Sequence, residues 1–220
     1  MLFFKSNFMW WVLAALLALT GSVRAETDCG NLSNAYGPFN YIDPDHFNNK
    51  LNVVERYHFT SKVENLIEGE SGALALDIDY TLRAFPNHHR ALWSAAKLQL
   101  QRGWTPDAHY FSADCYFDRA MRFQPKDGMV RMIYGIYLHK KQSYKDALVR
   151  YKEALELKPD SSEIYYNMGL LYVDTKDFAN AKIAAEKAYG LGYPLPGLKN
   201  QLVRAGYWDK NFSMKPSATP

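Results

Sequence analysis

The sequence predicts an all-α solenoid of helical hairpins, with an irregular arm before the array and a capping helix after it. The first observation is that small residues recur with a period of 34. The pairs that show it are Gly135 and Gly169, Ala147 and Ala181, and Ala154 and Ala188. A fixed period of this length is typical of repeat arrays. The second observation is that a proline follows each of three predicted second helices, at Pro86, Pro125 and Pro159.

Residues 1–25 have the pattern of a secretory signal peptide. Lys5 precedes an apolar run from Phe8 to Thr20, and Val23-Arg24-Ala25 offers a cleavage site. As a helix, that run would span about 20 Å, which is less than the ~30 Å hydrocarbon core of a bilayer. We therefore expect cleavage after Ala25, a periplasmic or secreted protein, and no stable membrane insertion. Retention of the leader as an anchor is the alternative.

Charge and cysteine content narrow the function classes. The formal net charge of +3 falls by two when Lys5 and Arg24 leave with the leader, so no basic excess indicates nucleic acid binding. Both cysteines, Cys29 and Cys115, lie in the exported part, where an oxidising compartment favours a disulfide. Such a bond would tie the arm to a repeat and stabilise the fold by about 4 to 5 kcal/mol in the chain-entropy model.

The arm comprises residues 26–59. Turn residues alternate with aromatic residues there, and the apolar positions show no helical period. Because exposed aromatic side chains are unfavourable, we expect Tyr36, Phe39, Tyr41 and Phe47 to pack along the rest of the protein. The segment from Leu51 to Phe59 is predicted as a short strand or a last extended piece.

Residues 60–208 are predicted to form the helical array. A first helix capped by Thr60 should end at Gly69, and a second should run from Ser71 to Pro86. Asn87 is predicted to cap a third helix that ends near Gly103. Thr105 and Pro106 are predicted to start a fourth, which passes through Tyr110 and ends before Pro125.

The strongest repeats are residues 128–161 and 162–195. Asp127 with Gly128 should open the first of them, Asp160 with Glu163 should form a capping box at the second, and Asp177 should cap its second helix. A short helix with Leu198, Leu202 and Val203 should then cover the end of the array. Residues 209–220 are predicted to be a disordered tail.

These two repeats resemble the tetratricopeptide repeat family. The second repeat carries the family pattern at Tyr165, Met168, Gly169, Tyr172, Ala181, Ala185, Ala188 and Pro194. The first carries it at Arg131, Tyr134, Gly135, Leu138, Ala147, Tyr151, Ala154 and Pro159. The resemblance covers residues 87–194 and extends to a divergent repeat at 60–86. It implies a right-handed solenoid of helix-turn-helix hairpins, and the chain is similar to exported bacterial proteins of uncharacterised type with such repeats.

The resemblance also implies a concave groove lined by the first helix of each repeat. The positions carried over are Arg90, Trp93, Lys97, Met132, Ile136, His139, Lys140, Tyr166, Asn167 and Leu170. Met132 and Ile136 stand at two positions that clamp a terminal carboxylate in other family members, which disfavours that ligand. We expect an extended or helical peptide of a protein partner instead. The arm or a neighbouring chain filling this groove is the alternative.

The function expected from these features is a non-enzymatic exported scaffold, which could assist assembly or secretion of a cell-envelope complex. Two alternatives remain: an enzyme whose site lies between arm and groove, with His58 or His88 as base, and a module for homo-oligomerisation only. His58 with Glu64 is the one acid/base pair that the sequence offers. His88 and His89 point about 100° apart on a helix, so no metal site is expected, and no motif indicates a cofactor.

Overall fold

The computed structural model describes residues 29–102 and 110–208, which form an all-α solenoid. Within these two ranges the chain contains helices and connecting segments but no β-strand. None of the helices in the described part is long and apolar enough to cross a membrane. The predicted leader, the predicted helix start at Thr105 and Pro106, and the tail at 209–220 lie outside the described residues.

The helices form a continuous series along the chain. The N-terminal segment contains α1 (Pro44–His46), a π-helical turn (Phe47–Leu51), α2 (Asn52–His58) and α3 (Ser61–Glu64). The array continues with α4 (Leu74–Ala84), α5 (His89–Arg102), α6 (Ala113–Phe123) and α7 (Gly128–Lys140). It ends with α8 (Tyr144–Leu157), α9 (Ser162–Asp174), α10 (Phe178–Gly190) and α11 (Gly197–Arg204).

The two strongest predicted repeats each contain one tightly packed helical hairpin, α7 with α8 and α9 with α10. Small residues allow the close approach within each hairpin. A Cβ atom at Gly135 would lie 2.6 Å from the Tyr151 ring, and Ala147 and Ala154 on α8 are fully buried. Gly169 faces Leu198 of α11, which covers the end of the array. The recurring small residues therefore mark helix contacts, as the period predicted.

Two of the three caps predicted in the two strongest repeats are confirmed. The Asp127 side chain accepts hydrogen bonds from the amides of Met129 and Val130, and Asp177 accepts one from Asn180. The capping box at Asp160 is wrong, because Ser161 is the N-cap of α9. Its backbone is extended and its hydroxyl accepts a hydrogen bond from the Ile164 amide.

The prediction of a strand or extended piece at Leu51 to Phe59 is also wrong. The chain is helical almost without interruption from Pro44 to His58. Asp43 accepts hydrogen bonds from two amides at the start, and Pro44 occupies the first helical position. Leu51 and Val54 are buried one helical turn apart, so tertiary packing stabilises this helix against the array.

Three predicted helix boundaries need correction. The helix capped by Thr60 ends at Glu64 and not at Gly69, because the chain reverses at Leu66, whose φ is 59°. The next helix begins at Leu74 and not at Ser71. The helix predicted to pass through Tyr110 begins at Ala113 with Ser112 as its cap.

Asn87 is not a helix cap, because α5 begins two residues later at His89. Asn87 is instead fully buried, where its side chain accepts a hydrogen bond from the Tyr41 amide. It donates to Asn40 and to Asp127, at 2.9 Å each. One buried amide thus joins the arm to the start of the next repeat.

The predicted disulfide is confirmed and ties the start of the arm to α6. Cys29 and Cys115 are bonded, with their Cα atoms 5.2 Å apart. The buried Arg119 donates from Nη1 to the carbonyl oxygens of Cys29 and Asn31, at 2.9 and 2.6 Å. Aromatic packing of the arm is mixed, since Phe39 contacts Phe85 whereas Phe47 is 47% exposed.

Candidate functional site

A cleft lies between α7, α9 and α11. Its volume is about 370 Å³, and its lining residues are Ile136, His139, Lys140, Gln142, Tyr144, Asn167, Leu170, Asp174 and Gln201. Five of these were predicted groove residues: Ile136, His139, Lys140, Asn167 and Leu170. The repeat register therefore brings half of the predicted positions together at one place.

A contact between α7 and α9 forms part of the lining of this cleft. His139 Nε2 on α7 lies 2.8 Å from Asp174 Oδ2 on α9, and the His139 ring packs against Tyr144 at 5.8 Å. Asn167 Nδ2 donates a hydrogen bond to the Glu163 carbonyl oxygen at 2.9 Å. The side-chain oxygen of Asn167 is a separate group, which can accept a hydrogen bond from a ligand. Lys140 is exposed and forms no ion pair with any described residue. The cleft thus combines apolar surface with amide groups and a cation.

The other end of the predicted groove is occupied by the protein's own N-terminal segment. Arg90 forms ion pairs with Glu64 and, at 3.1 Å, with Glu55. The Glu64 carbonyl accepts hydrogen bonds from Ser94 and Lys97, at 2.9 Å each. The end of α3 is thus held on α5 by two predicted groove residues, Arg90 and Lys97, which are not free for an external ligand in this arrangement.

The remaining predicted groove residues lie mostly inside the protein. Trp93 is half-buried and packs against the main core, and Met132 is 2% exposed. Tyr166 is 9% exposed and stacks on Tyr193, with 4.1 Å between the ring centroids. Partner binding by these residues stays a prediction, and their packing shows that they also belong to the core.

The two histidines that the sequence offered as bases have different surroundings. His58 pairs with Asp77 at 3.0 Å and not with Glu64, whose carboxylate is held by Arg90. His88 is fully buried; its Nε2 lies 3.1 Å from Glu55, and its Nδ1 accepts a hydrogen bond from the Ala91 amide. Burial lowers the pKa of His88 although Glu55 opposes this effect, so the neutral imidazole is favoured. His88 is therefore a packing residue in this fold.

Sequence reasoning missed several residues that line the cleft. Asp174 lies four positions after Leu170 on α9, so helical spacing could have placed it on the same face. Gln142 lies in the turn after α7, Tyr144 is the first residue of α8, and Gln201 reaches the cleft only because α11 docks there. No local pattern in the sequence indicates that docking position.

Comparison with known proteins agrees with this architecture. A family model described as a TPR repeat matches residues 137–175, and one described as a tetratricopeptide repeat matches residues 162–191. A solved structure from Pseudomonas aeruginosa, reported in a functional characterisation of pilF, matches with 20% identity and a TM-score of 0.50. The match covers 71% of this chain and 67% of that chain, and at this identity it shows the fold alone. No curated protein matches the sequence.

Proposed function

Because this chain is a tetratricopeptide-repeat protein, we propose that it is a non-enzymatic scaffold that binds a short segment of a protein partner. The binding site is the cleft between α7, α9 and α11. The observation that carries the proposal is that half of the groove positions expected for such repeats line this one cleft. The fully buried His88 supports the non-enzymatic assignment.

The occupied end of the predicted groove limits the size of the bound segment. Glu64 lies against Arg90 and Lys97, and Val63 next to it is fully buried in the core. A partner cannot displace this segment without exposing core residues. The bound element is therefore a short stretch that contacts Ile136 and Leu170, rather than a long helix that runs along the whole array.

A photo-cross-linking residue at Leu170 tests this proposal in cells. We expect covalent capture of one partner, identified by mass spectrometry as a component or assembly factor of a cell-envelope complex. Ile183 on α10 provides the control, because it is 57% exposed and does not line the cleft. Capture of the same proteins in equal yield from both positions would overturn the proposal.

We also propose that the protein acts in an oxidising compartment outside the cytoplasm, after cleavage behind Ala25. The bond between Cys29 and Cys115 supports this location, because disulfides persist mainly in exported proteins. Intact-mass measurement of the protein from cell envelopes should give a chain that begins at Glu26, with both cysteines oxidised. A chain that retains the leader would contradict cleavage, and reduced cysteines would contradict the compartment.

A further inference from the structure

A second pocket lies at the opposite end of the array, between α2 and α4. Its volume is about 240 Å³, and its lining residues are Tyr36, Val53, Val54, Tyr57, His58 and Tyr80. Val53 and Tyr57 are 45% and 57% exposed, so the pocket is open to solvent. Its lining is thus aliphatic and aromatic, with tyrosine hydroxyls and one imidazole as the polar groups.

A buried carboxylate determines how that imidazole is held. Asp77 is fully buried, and its oxygens accept hydrogen bonds from the Glu70 amide at 2.7 Å, the Ser71 amide at 3.1 Å and the Ser71 hydroxyl. Burial raises the pKa of Asp77, but the hydrogen bonds from Ser71 and His58 outweigh it, so the pKa lies below its ordinary value. An ionised carboxylate only accepts hydrogen bonds. His58 Nδ1, 3.0 Å away, must therefore carry the proton and donate it.

In the neutral form of His58, this contact leaves a hydrogen-bond acceptor at the pocket. A neutral imidazole with its proton on Nδ1 has a lone pair on Nε2. Nε2 of His58 forms no hydrogen bond with any residue in the described part of the chain. The ring stacks on Tyr80 at 3.8 Å, which holds its orientation. The pocket therefore presents an oriented acceptor next to aromatic and aliphatic surface.

We infer that this pocket binds the side chain of a tyrosine or tryptophan from a partner polypeptide. Such a ring offers a large apolar face to Tyr57, Val53 and Val54, and its O–H or N–H donates to His58 Nε2. At about 240 Å³ the pocket is smaller than the roughly 300 to 1,000 Å³ typical of drug-sized ligands, so a single side chain fits it better. The site is independent of the cleft at α9, and either can exist without the other.

Titration of the complete exported chain with p-cresol and toluene tests the inference, because these probes differ in one hydroxyl. Methyl resonances of Val53 and Val54 should shift with p-cresol, which should bind roughly three- to tenfold more tightly than toluene. His58→Phe keeps an aromatic ring in place but removes the acceptor, so it should abolish this preference. Ile183→Ser, on exposed α10, should leave the preference unchanged. Equal affinity of the two probes for the native protein would overturn the inference without affecting the proposed function of the cleft.

Titration with N-acetyl-tyrosinamide and N-acetyl-phenylalaninamide tests whether the ligand of this pocket is a polypeptide side chain. We expect the tyrosine derivative to shift the same methyl resonances and to bind roughly three- to tenfold more tightly than the phenylalanine derivative. Binding of p-cresol without binding of the tyrosine derivative would overturn the assignment to a polypeptide side chain. That outcome would identify a pocket for small phenols instead.

Discussion

At the scale of single residues, Gly135 determines how closely the first good hairpin packs. A Cβ atom there would lie 2.6 Å from Cε1 of Tyr151, whose side chain is fully buried. We expect Gly135→Ala to destabilise the protein by about 1 to 3 kcal/mol, because the buried ring would have to shift to admit the methyl group. Urea unfolding followed by circular dichroism measures the change in free energy.

Gly190 is the matched control for this substitution. It also lies in a helix, but a Cβ atom there would meet no atom within 4 Å. Gly190→Ala should be neutral or should stabilise by up to about 1 kcal/mol, since alanine restricts the unfolded chain. A similar loss of stability in both variants would show that the Tyr151 contact is not the cause.

His88 makes stability depend on pH. Its burial lowers its pKa in the folded protein, while in the unfolded chain the pKa returns to about 6.5. Below that pH the unfolded chain binds a proton that the folded chain does not, so stability falls as pH falls, by up to about 1.4 kcal/mol per pH unit. Urea unfolding between pH 7.5 and 5.5 measures this slope. His88→Gln should flatten it, whatever its effect on stability at pH 7.5, and an unchanged slope would contradict the assignment.

At the scale of helices, only one of two adjacent polar residues caps the start of α9. Ser161 accepts a hydrogen bond from the Ile164 amide, whereas Asp160 is exposed and outside the helix. Ser161→Ala should therefore destabilise the protein by about 0.5 to 2 kcal/mol, and Asp160→Ala should change stability far less. Thermal unfolding of the two variants measures the difference. A larger loss of stability in Asp160→Ala than in Ser161→Ala would instead support the capping box that the sequence predicts.

The helices that sequence reasoning located well are those with a repeating pattern. From α7 to α10 the same small residues recur at one spacing, and Asp127 and Asp177 cap helices as expected. The N-terminal helices lack such a pattern. A π-helical turn from Phe47 to Leu51 interrupts the 3.6-residue period, and packing of Val54 supplies the stabilisation that local sequence does not indicate.

The candidate cleft was predictable only in part, for a related reason. Repeat register places Ile136 and Leu170 on one face, because each repeat presents its first helix in the same way. It does not show that Glu64 covers Arg90 at one end, or that Gln201 lies at the other. These contacts come from segments outside the good repeats, and long-range docking of such segments has no periodic signal.

At the scale of the whole molecule, different contacts stabilise the two ends of the array. The N-terminal end is held by the disulfide at Cys115 and by the buried Arg119. The C-terminal end is covered by α11, whose Leu198 and Leu202 are fully buried against α9 and α10, and by Trp208 after it. Because each unit of a solenoid is stabilised mainly by its neighbours, damage at one end should stay local.

Leu202→Ala tests this local dependence. Loss of a fully buried leucine side chain should cost about 2 to 5 kcal/mol, and α9 and α10 should lose hydrogen-exchange protection first. Amides of α6, next to the disulfide, should keep their protection under conditions that do not unfold the whole chain. Leu195→Ala is the control, because that side chain is 56% exposed and should change little. An equal loss of protection in α6 and α10 would mean that the described helices unfold as one cooperative unit. The cleft between α7, α9 and α11 could then not unfold without the pocket between α2 and α4.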